Sequence, residues 1–448
     1  LILCGIGGNG GDGFIIAQEL SNKGWDIVTT IVGNQKIIKG DSLKALNKLK
    51  LKLLNFNDIN LDKTKLFIDA IYGIGLSRKI NKKECIILNT INNHTAPIIA
   101  IDIPSGIDCN NGQILGFAPF CDLTITFSTL KAGHILLPGS EKINKIKVVD
   151  IGISKDIINK IEPNIKINNK NQWVKEINWP KIDDHKYSRG YSLVVGGSKK
   201  MTGASRLAAI SAQRAGSGIV ALASEKEAEE IYFISLTSQL VKSYKNIKEY
   251  NAIINESRID SIVIGPGLDT GNKSILKIKS ALKTNKRIVL DAGAISCFKD
   301  KLGILIKALS GKDAIITPHE GELKSILPNL SGSLISKALK AAKILDTIVV
   351  LKGATTVIAS PNNEALVNPA GNKWLSTAGS GDVLAGIIGG LLSNKMETYY
   401  AAAYGVWLHS EAGKYLGPGL IAEDIVKSLT NFYYLILPII INFFLIYT

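Results

Sequence analysis

The chain has 448 residues, 46% of them hydrophobic, which is too long for one ordinary domain and predicts two or three with substantial cores. Its net charge of +15 comes from 53 Lys and Arg against 38 Asp and Glu, scattered among Ile and Asn without a dense basic block or interleaved aromatics. That distribution reads first as solvated faces and second as a preference for anionic small ligands; it argues against nucleic acid as a partner. The five cysteines, Cys4, Cys85, Cys109, Cys121 and Cys297, show no CxxC and no metal-ligand spacing, which suits a reducing, cytoplasmic setting.

In chain order, the first half runs from Leu1 to about Ser154. Strands are expected at 1–4, 26–32, 66–69, 98–103, 123–127 and 146–149, with helical stretches such as 13–23 and 41–50 between them. Apolar strands alternating with helices predict an α/β fold with a parallel sheet covered on both faces. The chain begins inside the first strand, and no signal peptide is visible at this end. Gly5, Gly7 and Gly10 formally give GxGxxG. A dinucleotide fold would want an acid near residue 33, where the chain has Gly33-Asn34-Gln35, and Asp12 is read inside the loop instead. Two further polar clusters end strands, Asp69 to Gly75 and Asp102 to Asp108. In a parallel sheet they converge with Asn9 and Asp12 at one edge. Asn9, Asp69 and Ser105 offer hard oxygen ligands for a cation, and Asp102 suits an acid/base, although each residue alone is also what a turn uses.

A polar Lys/Asn/Ile stretch, 155–184, is the expected linker. The second half then repeats the alternation. Strands are expected at 192–195, 219–223, 261–264, 287–291, 314–317, 348–352 and 356–359, and helices at 204–215, 275–282, 321–326, 334–345 and 399–416. Most Gly-rich turns fall at strand C-termini, where open α/β sheets bind ligands. Gly267 to Ser274 fails the P-loop spacing. Thr317-Pro-His319-Glu-Gly-Glu322 and Lys352-Gly-Ala-Thr-Thr356 end two of these strands, while His134 and His409 are read as structural. From Ser428 to Thr448 there is no charge. This apolar tail is read as a membrane anchor, a buried terminal segment or an out-of-frame extension.

Thr377-Ala-Gly-Ser-Gly-Asp382 opens the apolar helical run 383–392. Small residues let a phosphate approach the backbone, and the first N–H groups of a helix favour an anion. With Asp382 in the same turn as a base, the segment suggests phosphoryl transfer to an alcohol. A plain Gly-rich turn with Asp at a helix N-terminus is the other reading.

The order GxGxNGGDG (5–13), DAxxGxG (69–75), DIPSGID (102–108) and Phe127…Lys131-Ala132-Gly133 resembles the NAD(P)H-hydrate epimerase domain, the YjeF N-terminal family, over about residues 1–154. The resemblance implies a Rossmann-like three-layer αβα domain, truncated here at its start, which interconverts R and S hydrates with Asp102 as acid/base. It also implies that Gly8, Asn9, Gly10, Gly11, Asp12, Gly73, Ile74, Gly75, Leu76, Ser77, Arg78, Lys79 and Asp102 contact the hydrated nucleotide. Asn9, Asp69 and Ser105 would then bind potassium. The family has two Asn where this chain has Gly8-Asn9.

The pieces HKYSRGYSLVVGGS, GPGL, TPHEGE, LKGATT and GNKWLSTAGSGDVLAG resemble the dehydratase domain of the same repair system, a ribokinase-like αβα fold, over about residues 185–429. This resemblance implies ADP- or ATP-dependent dehydration of the S form of NAD(P)H hydrate, with magnesium. Ala204, Gly267, His319 and Asp382 would contact the hydrate, with Asp382 as base. Lys352, Gly353, Ala354, Thr355, Thr356 and Gly381 would hold the adenosine phosphate, and Gly379, Ser380 and Gly381 would form an anion hole. The family has Asp where this chain has Gly293. A homo-oligomer is expected. Two alternatives remain at this point: a ribokinase-like kinase of a small alcohol, and a first half that binds nucleotide without catalysis.

Overall fold

The protein is described by a computed structural model over residues 1–161, 163–369, 373–433 and 435–436. It forms two compact units, Leu1–Pro163 and a second from Asn164 onward.

The first unit is built on six strands: β1 (Ile2–Cys4), β2 (Thr29–Ile31), β3 (Phe67–Ala70), β4 (Ile98–Ile101), β5 (Cys121–Phe127) and β6 (Ile143–Val149). Their order is β2-β1-β3-β4-β5-β6, and every pairing is parallel. Alternation along each strand divides the core. Leu3 and Phe67 pack with Leu88 and Ile91 on one face, whereas Ile2, Cys4 and Ile68 pack with Phe14 and Ala17 on the other. The edge strand β6 is largely exposed and carries Lys145 and Lys147, charges that discourage further strand pairing.

The second unit holds ten strands: β7 (Ile165–Ile167), β8 (Tyr191–Val195), β9 (Ile219–Glu225), β10 (Leu240–Tyr244), β11 (Ser261–Ile264), β12 (Arg287–Leu290), β13 (Ala314–Ile316), β14 (Ile348–Leu351), β15 (Thr356–Ala359) and β16 (Ala365–Asn368). The order is β10-β9-β8-β11-β12-β13-β14-β15-β16-β7. The sheet is parallel from β10 to β14; β15 turns back, β16 turns again, and β7 runs parallel to β16. Val263, Val289, Ile315 and Val350 face a core shared with the helices Thr202–Arg214, Ser380–Ser393 and Thr398–Leu416. Gly386 and Gly390 make that packing close: a Cβ on either would stand 2.2 or 2.3 Å from the carbonyl of Ala208 or Ala212.

The structure departs from the sequence expectation in three places. The expected linker 155–184 is divided, because β7 joins the second sheet and Trp173, wholly buried, stacks on Tyr404 at 4.3 Å. β7 and β10 are short and interrupted by Lys or Ser, and β16 is four residues ending in Asn368, so alternation alone does not mark them. The first helix begins at Gly8, five residues early, because three residues suffice to turn from β1 into it. Asp12 is therefore helical rather than in a loop. In the apolar tail, Phe432 and Ile436 are buried in the second core, and 434 and 437–448 lie outside the described residues. Among the described residues no helix is long and apolar enough to cross a membrane.

Candidate active sites

In the first unit, the C-terminal ends of β1, β3 and β4 lie side by side, which brings together the three expected clusters. Asp69 is fully buried. Its Oδ1 accepts from Ser105 Oγ at 2.6 Å and from the Ile71 N–H at 3.3 Å, and its Oδ2 accepts from the Ser105 N–H at 2.8 Å. Burial raises its pKa, and the Ser105 and Ile71 hydrogen bonds oppose that rise. Asn9 lies against Gly73, where an added Cβ would come 3.3 Å from its Cγ, and its buried Nδ2 has no hydrogen-bond partner among the described residues.

Asp102 follows β4 in a left-handed conformation, φ 67°, unusual for a side-chain-bearing residue and a local strain. Its Oδ1 accepts from Lys131 Nζ at 2.7 Å and Thr126 Oγ1 at 3.0 Å, while the His134 Nε2 lies 2.9 Å from its carbonyl oxygen. Burial, with help from the Lys131 charge, lowers the His134 pKa, so this ring stays neutral. Asp12 is raised above the usual carboxylate range by burial and then by the Asp102 charge, which places the two carboxylates within electrostatic reach.

The segment 73–79 is not uniformly a ligand surface. Ile74 is exposed but Leu76 is buried in the core, so its side chain faces inward. Arg78 is held by Tyr72 Oη at 3.0 Å and stands 3.7 Å from Glu84. Gly8, Gly10 and Gly11 occupy the first turn of the helix Gly8–Asn22, and Gly75, Ser77 and Lys79 remain in the loop after β3. Lys131 and Thr126 carry no role in the sequence reading, and His134 is read there only as structural. Lys131 stood in a quoted motif, but nothing in the spacing from Asp102 to Lys131 says that β5 lies beside β4.

In the second unit, the ends of β12, β13 and β14 build the site. Asp291, 1% exposed, accepts on Oδ1 from Lys352 Nζ at 2.7 Å and from Thr317 Oγ1 at 2.7 Å. Lys352 is locked in register by its N–H donating to the Pro318 carbonyl at 2.8 Å. Burial works to lower its pKa, but the charges of Asp291, Glu322 and Asp382 prevail and raise it, so the ammonium persists. A Cβ on Gly381 would lie 3.3 Å from that ammonium, which therefore sits at the N-terminus of the helix Ser380–Ser393.

Gly379 caps this helix in a left-handed conformation, φ 85°, and among the described residues no side chain caps its N–H groups. The Ser380 N–H turns back to the Thr377 carbonyl at 3.4 Å, so it is engaged within the turn. Ser380 Oγ instead pairs with His409 Nε2 at 3.0 Å. Burial pushes the His409 pKa down to about 4. Asp382 moves the other way, to about 6, through burial and then the Asp291 charge, with Lys352 opposing.

His319 caps the helix Glu320–Ile326: its Nδ1 accepts from the N–H groups of Gly321 and Glu322, which puts a neutral ring's proton on Nε2. A cavity of about 580 Å³ is lined by His319, Lys352, Gly353, Ala354, Thr356, Ser380 and Gly381, and also by Asn368, Leu384, Val406 and His409. Thr355 is buried beside it. Ala204, Gly267 and Asp382 are not on this wall among the described residues. Ala204 lies in the first turn of the helix Thr202–Arg214, and Gly267 packs against the start of that helix, since a Cβ on Gly267 would stand 2.2 Å from the Met201 carbonyl. Gly293 has a steric reason: a Cβ there would meet the Leu268 carbonyl at 2.1 Å, so this backbone takes no side chain without moving. His409, read from the sequence as structural, holds Ser380 and also lines the cavity.

A family model described as NAD(P)H-hydrate dehydratase matches residues 192–427, and one described as YjeF-related protein N-terminus matches residues 1–133. Proteins named bifunctional NAD(P)H-hydrate repair enzyme are similar over nearly the whole chain. The one from Dictyoglomus turgidum is 34% identical, covering 96% of this chain and 87% of its own length; the one from Escherichia coli is 28% identical over 96% and 84%. A Bacillus subtilis structure described as ADP/ATP-dependent NAD(P)H-hydrate dehydratase, co-crystallised with ATP and Mg2+, is 26% identical with a TM-score of 0.53, covering 61% of this chain and 99% of its own. With both family models matched in chain order and relatives similar end to end, the chain belongs to the family of bifunctional NAD(P)H-hydrate repair enzymes, an epimerase domain followed by a ribokinase-like dehydratase domain.

Proposed function

We propose that the second unit restores NAD(P)H from the S hydrate by transferring a phosphoryl group from ADP or ATP, and that the first unit interconverts the R and S hydrates. One observation carries the dehydratase reading: the Lys352 ammonium stands at the uncapped N-terminus of the helix that bears Asp382. Asp382 takes the proton of the hydrate hydroxyl, and the oxygen attacks the terminal phosphorus of the nucleotide. A new O–P bond forms while the bridging P–O bond breaks, with ADP leaving as AMP. Lys352 and the N–H groups of Gly381 and Asp382 balance the charge on the phosphoryl oxygens. The phosphorylated oxygen then leaves as phosphate. The ring nitrogen lone pair expels it, and loss of a proton from the neighbouring carbon restores the ring double bond.

Asp291, Glu322 and Asp382 all act electrostatically on Lys352 at this edge, yet among the described residues no three His, Cys, Asp or Glu groups are gathered to hold a metal. One or two of these three carboxylates would suit magnesium, which leaves the rest of its shell to phosphates and water. When bound, it neutralises phosphate charge. In the first unit, the buried Asp69 carboxylate has no ion-pair partner among the described residues, which fits a potassium ion held with Ser105 and Asn9. Asp102 acts as acid/base there, and Lys131 Nζ positions it through a 2.7 Å contact. A cytoplasmic homo-oligomer is part of this reading.

Mixed R and S hydrates supplied with ADP or ATP test the whole reading by reduced-nicotinamide absorbance. Full recovery is expected. Recovery that stops at the S fraction removes the epimerase role, and a stable phosphorylated product without absorbance recovery turns the second unit into a kinase.

A further inference from the structure

Asn168 lies on the segment just after β7, is 3% exposed and has its whole amide engaged. Its Oδ1 accepts from Trp173 Nε1 at 3.2 Å, and its Nδ2 donates to the Ala403 carbonyl at 2.8 Å and to Asn368 Oδ1 at 3.2 Å. Reversing the amide would set NH2 against the indole N–H and oxygen against a carbonyl, so its sense is fixed. Asn368 ends β16 opposite Thr356 and lines the 580 Å³ cavity with Lys352, Thr356 and Ser380. Because Asn168 occupies its oxygen, what Asn368 can offer a ligand is its NH2, a donor. An adenosine phosphate presents acceptors along its whole length.

We propose that Asn368 is a contact for the adenosine phosphate, donating Nδ2–H to one of its acceptor atoms, and that Asn168 is the positioning residue that sets the sense of that amide. The proposal rests on reading the cavity as the nucleotide site. It gives the residues after β7 a task in recognition: they pin a polar group that would otherwise be free to flip. A reversible amide can suit either donor or acceptor ligands; a pinned one selects.

Isothermal titration of the full chain with ADP, beside steady-state dehydration kinetics, tests this. Asn368→Asp keeps the shape and replaces the donor with an acceptor. The expected result is a Kd and KM for ADP raised about tenfold or more, with the KM for hydrate within about twofold of the parent. Asn168→Ala is expected to weaken ADP about fivefold, and Asn168→Ala combined with Asn368→Ala to bind no worse than Asn368→Ala alone. A folded Asn368→Asp chain that binds ADP within about twofold of the parent, or a double variant whose losses add, overturns the proposal. If Asn168→Ala does not fold, the two Asn368 variants decide. A parent chain that binds neither ADP nor ATP sinks the nucleotide reading itself; normal parent binding with an indifferent Asn368→Asp sinks the contact alone.

Discussion

Lys352 and Asp291 share one short contact, Nζ to Oδ1 at 2.7 Å, between the ends of two strands that are not sheet neighbours. β13 lies between β12 and β14, and its Thr317 donates to the same oxygen. The pair sets the local field: Asp291 keeps the ammonium charged and adds to the burial that pushes Asp382 up to about 6.

With Asp382 as the proposed base, dehydration is expected to depend on pH. As a base it must be ionised, so kcat/KM should rise with pH through about 6 and level off above it. Asp291→Asn removes a repelling charge and should move that limb to lower pH. The same shift costs stability. The folded state holds the Asp382 proton more tightly than the unfolded chain, so stability from this group is present at low pH and lost as pH rises through about 4 to 6. A pH–rate profile from 5 to 9 checks the first claim. Asp382→Asn should lose about 100-fold or more in kcat while still binding ADP.

In the first unit, Asp102→Asn and Lys131→Met should each slow epimerisation about 100-fold and leave dehydration of pure S hydrate unchanged. Recovery of the R form, followed after the S form is consumed, measures it. Normal R recovery in Lys131→Met would restrict Lys131 to a structural pairing.

His409 gives the opposite pH signature to Asp382. Its folded pKa of about 4 lies below the ordinary 6.5, so its contribution is present above 6.5 and lost as pH falls toward 4. Between pH 7 and pH 5 the loss is on the order of 2 kcal/mol. Denaturation at the two pH values should show it in the parent and lack it in His409→Gln.

Trp173→Ala should unfold the second unit at a temperature several degrees lower, for a cost of about 3–5 kcal/mol, because it empties the place where the indole stacks on Tyr404. A thermal scan that leaves the midpoint unmoved would show that the residues after β7 do not belong to this core.

Most of the site was legible because phosphate cradles and strand-end acids are local. Thr377 to Asp382 is one turn, and its small residues, acid and apolar helix stand in a row. Lys131, Thr126 and His409 were not legible as functional, since each acts across strands or helices distant in sequence. Trp173 and Asn168 were hidden by their surroundings: a short IKI strand among Lys and Asn has the composition of a linker.

The sequence by itself determined the two α/β units, the repair-enzyme resemblance and the segments suited to anions, because periodicity and local motifs need no knowledge of neighbours. Sheet order and burial decided the rest. They placed Lys131 on Asp102 and Lys352 on Asp291, turned His409 toward Ser380, and drew β7 into the second sheet. The physical reason is that charge, proton affinity and amide sense depend on which groups share a dry space. Only the folded chain brings those groups together.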